Sequence, residues 1–266
     1  MSLLVAAFLG VVQGLTEFLP ISSSGHLVIA QHFVPGFDQP GVLFEIVLHL
    51  GTLLAVVLYL RADVSSLLSG LWPGSEGRTG RRLILLLVVG TLPAVVVALT
   101  LRDFVEQSFE SLSVVGVCLC ATGLLLLYSA RLHKEQKELT ELGLLDALVI
   151  GAFQSIALLP GVSRSGTTIV AGLGRGIVHG SAARFSFLLS LPAILGAAIL
   201  NIPEATQIPE AALGGYVVGF LTAFAIGYLA IGIVIKFLAS RRFHMFGYYC
   251  LAVGGAVLVS VALGLA

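Results

Sequence analysis

Hydrophobic positions along this chain run in long blocks and do not alternate with polar ones. Six blocks, at about 43–60, 83–101, 112–130, 185–200, 213–235 and 245–265, are nearly free of charge. Each is long enough to cross a bilayer as one helix. Two further apolar stretches, 3–33 and 142–178, are interrupted. The first is broken by Pro20-Ile21-Ser22-Ser23-Ser24-Gly25 and the second by Pro160-Gly161-Val162-Ser163-Arg164-Ser165-Gly166. Proline, glycine and serine together end one helix and start the next. Each half is too short to span comfortably, which predicts a re-entrant helical hairpin. Irregular backbone at membrane depth is tolerated only where protein or a wet cavity surrounds it. The two breaks are therefore where a site is expected.

Composition supports this reading. Of 266 residues, 58% are hydrophobic and 11% charged, and the mean hydropathy is +1.06. A soluble domain carries about 25% charged residues, and so few charges could not cover a soluble core of this size. Lys+Arg and Asp+Glu balance at 14 each, with no basic block of the kind that binds nucleic acid. The start, Met1-Ser2-Leu3-Leu4, has no positive n-region, so the first apolar segment is expected to be retained. Cys118, Cys120 and Cys250 all lie in apolar runs and read as small core residues.

The loops predict orientation. Segments 61–82 (Arg61, Arg78, Arg81, Arg82), 131–141 (Arg131, Lys134, Lys137) and 236–242 (Lys236, Arg241, Arg242) are basic and should face the cytoplasm. Segments 102–111 and 201–212 carry Asp103, Glu106, Glu110, Glu204 and Glu210 against Arg102 alone and should face outward. Both termini then lie outside.

An internal repeat accounts for the pattern. Displaced by 141 residues, Gln13 falls on Gln154, Ser22-Ser23-Ser24-Gly25-His26 on Ser163-Arg164-Ser165-Gly166-Thr167, and Phe44–Leu50 on Phe185–Leu191. Each repeat, about 1–130 and 142–266, holds one hairpin and three spans. An odd number of spans inverts the second copy. The predicted fold is a single all-α integral membrane domain of two inverted-topology repeats.

Few charged or ionisable residues fall at membrane depth: Glu17, His26, Glu45, His49 and Arg164. Such residues are costly there and point to function. The hairpin tips should meet near the midplane, bringing Glu17 and His26 to Arg164. The second helix of each hairpin would aim its free N–H groups and positive dipole end at that point, which favours an anion. A guanidinium suits phosphate through its two parallel donors. Ser163, Ser165, Thr167 and Thr168 could add hydroxyl donors. Glu17 could orient a histidine or bind a divalent cation, and His26 could serve as acid, base or nucleophile. Ser23 is a second candidate nucleophile. The first hairpin would thus carry the reacting groups and the second the anion clamp.

Blander roles compete with these. The serines could only cap helices, Glu17 could only pair with an arginine, and His26 could be packing. Glu45 and His49, four apart on one helix face, could line the cavity or pair with each other. Gln13, one turn before Glu17, reads as support for it. Asp146, Arg175 and Arg184, near helix ends, read as solvated.

Gln13-Gly14-Leu15-Thr16-Glu17-Phe18-Leu19-Pro20-Ile21-Ser22-Ser23-Ser24-Gly25-His26 and Pro160-Gly161-Val162-Ser163-Arg164-Ser165-Gly166-Thr167-Thr168 closely resemble the two signature motifs of the bacterial undecaprenyl-pyrophosphate phosphatase family. Phe185-Ser186-Phe187-Leu188-Leu189 is similar to it as well. The resemblance implies a homodimeric inner-membrane enzyme that converts undecaprenyl diphosphate to the monophosphate. It also implies recycling of the lipid carrier of peptidoglycan synthesis and a link to bacitracin resistance. It gives weight to Glu17, Ser23, His26, Ser163, Arg164 and Thr168. It further implies dependence on a divalent cation, Mg or Ca, with Glu17 as the ligand to consider, although Gln13 stands where a second carboxylate could have been. The competing function is a polyprenyl-phosphate transporter or flippase, since inverted repeats are a transporter architecture.

Overall fold

The computed structural model describes residues 2–33, 42–74, 77–132, 136–200 and 212–265. Regular structure among them is helical, apart from an isolated parallel bridge between Lys137 and Ile177. The first broken stretch forms α1 (Leu3–Phe18) and α2 (Ser23–Phe33). After it come α3 (Val42–Tyr59), α4 (Arg61–Ser69), α5 (Arg78–Thr100), α6 (Arg102–Ser108) and α7 (Leu112–Ser129). A 3₁₀ turn, Leu139–Glu141, leads into the second broken stretch, α8 (Leu144–Ile156) and α9 (Arg164–Gly174). The chain continues through α10 (His179–Leu200), α11 (Leu213–Ala239) and α12 (Met245–Ala262).

Helices α5, α7, α10, α11 and α12 are each long and apolar enough to cross a membrane, and α3 turns through 86° into α4. The chain is a multi-pass, all-α membrane protein. The charges that bound an apolar block do not always end its helix. Helix α10 starts at His179 and includes Arg184, while α11 runs past Lys236. Two segments expected as loops are short helices. Asp63 of α4 holds Arg184, and Arg102 and Glu106 of α6 pair one turn apart. Lys134, Glu204 and Glu210 lie outside the described residues.

The helices approach through small residues, as expected where lipid gives no hydrophobic drive to associate. Helix α1 lies along α11, and a Cβ placed on Gly10 would sit 2.7 Å from the Gly219 carbonyl oxygen. Helix α8 lies along α5, with Gly151 against the Gly90 backbone, and α7 along α12, with Gly123 against Gly247. Between them Phe18 and Phe187 meet edge to face at 5.4 Å, in a core that fully buries Phe185, Leu188 and Leu189.

The basic end is more tightly built than its sequence suggests. Asp146, expected to be solvated, is 3% exposed. It accepts hydrogen bonds from the Gly143 N–H at 3.0 Å, Arg175 at 2.7 Å and Lys137 at 3.0 Å. Arg184 likewise forks onto Asp63, with Nε 2.9 Å from one oxygen. Lys137 also carries the bridge to Ile177, so the linker before α8 lies over Asp146.

Candidate functional site

The two helix breaks meet. A Cβ placed on Gly25 would lie 2.9 Å from Gly161 Cα, so the tips touch through backbone. The Ser22 hydroxyl joins them, accepting from the Gly25 N–H at 3.2 Å and from the Gly161 N–H at 3.1 Å. Ser22 itself sits at φ 70°, a region costly for a residue with a side chain. Gly161, at φ 93°, lies against the Val115 carbonyl of α7, where no side chain fits. Thr122 of α7 fixes this second tip. Its hydroxyl donates to the Gly161 carbonyl at 3.0 Å and accepts from the Ser163 N–H at 3.2 Å.

A definite prediction follows for Gly25. It lies in the first turn of α2, and replacing a helical glycine with alanine ordinarily stabilises by about 0.5–1 kcal/mol. Here the added methyl would push against Gly161. Gly25→Ala is expected to lower thermal stability in detergent, whereas a gain in melting temperature would mean the tips can separate freely.

Beside the contact is a cavity of about 360 Å³. Glu17, Ser22, Ser23, Ser24, Ser163 and Arg164, with Glu45 and His49 of α3, supply its polar lining. Its remaining wall is largely apolar: Ile46, Phe109, Leu158, Ala193, Ile194 and Ala197. A group of polar side chains within a largely apolar wall suits a headgroup joined to a hydrocarbon chain.

Glu17 is the hub. It is 7% exposed, and both carboxylate oxygens are occupied. One oxygen pairs with Arg164, which lies 147 residues away in sequence. The other accepts from Ser23 Oγ at 2.7 Å and Gln13 Nε2 at 3.0 Å, with His49 Nε2 at 3.5 Å. Arg164 is aimed by a second contact, Nη1 to the Ser186 carbonyl at 3.3 Å. A carboxylate on a serine hydroxyl can take its proton, and a guanidinium beside them can stabilise phosphoryl oxygens.

Of the residues singled out in sequence, Glu17, Ser23, Arg164, Gln13 and His49 are brought together, and Ser163 and Glu45 line the same cavity. Others are turned elsewhere. Ser165 donates to the Leu19 carbonyl at 3.3 Å, and Thr167 to the Ser163 carbonyl at 2.9 Å. Thr168 donates to the Arg164 carbonyl at 2.7 Å and bonds the Ser186 hydroxyl at 2.7 Å. These three side chains are buried in packing. Three of the four expected phosphate donors thus bond to the protein around the start of α9, and Ser163 stays on the cavity wall. His26 is also outside the cavity wall. Its Nδ1 is 2.8 Å from the Ser22 carbonyl and its Nε2 is 2.8 Å from the Tyr249 hydroxyl.

Sequence reading missed Thr122, Ser186 and Tyr249. All three lie within apolar helices, and no motif marks the first or the last. Ser186 falls within the Phe185–Leu191 stretch of the repeat, which marks the segment but not this side chain.

The donors do not form a cation site on their own. Among the described residues no three His, Cys, Asp or Glu side chains are grouped to hold a metal. Glu17 is already neutralised by Arg164. Gln13 Oε1 is buried without a partner among the described residues, but one neutral oxygen is far short of the six or so that a hard divalent cation takes.

A multi-pass membrane protein with a carboxylate, a serine hydroxyl and a guanidinium gathered at an apolar-walled cavity belongs with enzymes acting on the polar ends of lipids. Residues 6–256 match the family model described as Bacitracin resistance protein BacA, and the chain belongs to that family. It is 44% identical over 256 residues to the undecaprenyl-diphosphatase of Syntrophotalea carbinolica, covering 96% of this chain and 97% of the relative. It is 39% identical to that of Carboxydothermus hydrogenoformans, covering 97% of each, and 41% identical to that of Methanococcus maripaludis, covering 94% and 97%.

Proposed function

We infer that this protein is a membrane phosphatase that hydrolyses undecaprenyl diphosphate to undecaprenyl phosphate and inorganic phosphate. The observation that carries the chemistry is the 2.7 Å contact between Ser23 Oγ and Glu17, with Arg164 on the same carboxylate. The substrate class comes from the family and its named relatives.

In the resting site Arg164 neutralises Glu17. An arriving diphosphate competes for the guanidinium, which forks onto phosphate oxygens as readily as onto carboxylate. Glu17 is thereby released as a base. Ser23 Oγ attacks the terminal phosphorus as its proton passes to Glu17. The bond from that phosphorus to the bridging oxygen breaks, and undecaprenyl phosphate leaves with the electron pair. Water then attacks the phosphoserine, the proton on Glu17 returns to Ser23 Oγ, and inorganic phosphate departs. Ser163 and Ser24 border the phosphates, and the prenyl chain follows the wall of Ile46, Ala193, Ile194 and Ala197. A divalent cation is proposed only as a companion of the diphosphate. A transporter would need no paired hydroxyl and carboxylate.

The architecture we propose is a single domain of two inverted repeats, with α1–α2 and α8–α9 as re-entrant hairpins. Its support is the equal displacement of the parts. The second helices of the hairpins start at Ser23 and Arg164, 141 residues apart, and so do the glycines Gly10 and Gly151 at the crossings with α11 and α5. The basic loops are assigned to the cytoplasm of a bacterial inner membrane and the cavity to the periplasmic side. Phe109, from a segment poor in Lys and Arg, lines that cavity. A homodimer is expected from the resemblance alone. Cysteines placed at Ser2 and Leu265 should react with an impermeant thiol reagent from outside intact cells. Labelling only after lysis would overturn the inverted arrangement.

The function is tested by phosphate release from undecaprenyl diphosphate by purified protein. Release that falls to background in Ser23→Ala is expected. Tight substrate binding with no release by the native protein would contradict it.

A further inference from the structure

We propose that His26 and Tyr249 are positioning residues that hold the tip of the first hairpin, and that His26 neither carries a proton nor attacks phosphorus. This rests on the phosphatase site above and assigns its one nearby histidine outside the cavity.

A carbonyl can only accept, so the 2.8 Å contact to the Ser22 oxygen requires hydrogen on His26 Nδ1. In the neutral ring Nε2 is then the acceptor, and the Tyr249 hydroxyl, 2.8 Å away, donates to it. The rings lie nearly parallel, 10° apart with centroids at 5.7 Å. Both nitrogens are used, and neither points at Glu17 or Ser23. What they hold is Ser22, in its unfavourable φ 70° conformation. Ser22 in turn binds the Gly161 N–H of the other tip and precedes Ser23. Tyr249, on α12, thereby helps fix the serine that meets Glu17.

The second hairpin supplies an independent comparison. At the position 141 residues on, Thr167 donates to the Ser163 carbonyl at 2.9 Å, just as His26 does to Ser22. The neighbouring contacts recur too. The Gly166 N–H donates to Ser163 Oγ at 3.1 Å, and the Gly25 N–H to Ser22 Oγ at 3.2 Å. The same bond is made there by a hydroxyl with no acid–base role near neutral pH. A side-chain donor thus recurs at this position of both tips, beside the residue's own N–H, which reaches the same carbonyl at 3.2 Å in His26 and 2.9 Å in Thr167.

The experiment separates a donor from a proton carrier. The nitrogen of an asparagine amide can take the place of Nδ1, whereas that of glutamine falls nearer Nε2. Full-length protein is assayed in one detergent, with native protein and Glu17→Gln as active and inactive references and thermal stability measured alongside. His26→Asn is expected to retain phosphate release within about tenfold of native, while His26→Ala and His26→Gln lose about a hundredfold, mainly in kcat, the loss typical of a slightly misplaced reacting group. Tyr249→Phe should lose a few-fold with the pH profile unchanged. His26→Asn as inactive as His26→Ala, although equally stable, overturns the proposal. A second measurement needs no substrate. In the 15N spectrum of histidine-labelled protein, the signals lost in the His26 variants should be those of a neutral ring protonated at Nδ1. A neutral ring protonated at Nε2 overturns the proposal even if the native protein releases phosphate. A native protein that releases none overturns the phosphatase reading, and the tautomer still decides the role of the ring.

Discussion

Arg164→Ala is expected to lower kcat/KM for undecaprenyl diphosphate by about a thousandfold, roughly 4 kcal/mol, and Arg164→Lys to recover little of it. Arg164 sits at the start of α9 with its side chain 17% exposed, one nitrogen on Glu17 and another near the Ser186 carbonyl. In a site of low dielectric, losing a charged donor to phosphoryl oxygens removes stabilisation of ground and transition state alike. Lysine keeps the charge but offers a point donor on a flexible stem in place of a planar fork. Direct titration with a non-hydrolysable lipid diphosphate should therefore show weakened binding in both variants. Near-native release by a folded Arg164→Lys would make the arginine a structural counter-ion to Glu17 and nothing more.

Glu17→Gln is expected to have a comparable effect through a different constant. The amide cannot take the Ser23 proton, and loss of a positioned general base costs about 10²- to 10⁴-fold in kcat. Binding of the same lipid diphosphate should stay within about tenfold of native, about 1.4 kcal/mol, because Arg164 no longer has a carboxylate to leave. Thermal stability without ligand should fall, since a buried guanidinium loses its partner, and added ligand should restore part of it. If Glu17→Gln loses binding as badly as Arg164→Ala while its kcat is native, the roles of base and clamp are assigned the wrong way round.

Much of this site was legible in the chain because bilayer chemistry makes polar residues conspicuous. Glu17 and Arg164 stand out among apolar neighbours, and the helix-breaking residues around Ser22 and Ser163 say that the chain reverses there. The displacement of 141 residues predicted that the two would be brought together. What the sequence left open is where each side chain points. A threonine after a helix start is equally a phosphate donor or a cap, and only the partners of Thr167 and Thr168 decide for packing. His26 has the chemistry of a catalyst, yet one turn of α2 carries its ring to Tyr249 while His49, from α3, comes to 3.5 Å from Glu17. Asp146 looked solvated because it lies near a helix end. The folding of Lys137 and Arg175 over it involves a linker whose path no local pattern encodes.

The role of Ser23 can be read most directly by mass spectrometry of enzyme quenched during turnover of undecaprenyl diphosphate. The expected result is one phosphoryl group on the peptide containing Ser23, formed within a single turnover, lost on further incubation and absent from Ser23→Ala. Peptides carrying His26 or His49 should be unmodified at those residues. A phosphoryl group on either histidine, or native-rate phosphate release by Ser23→Ala, would contradict nucleophilic attack by Ser23.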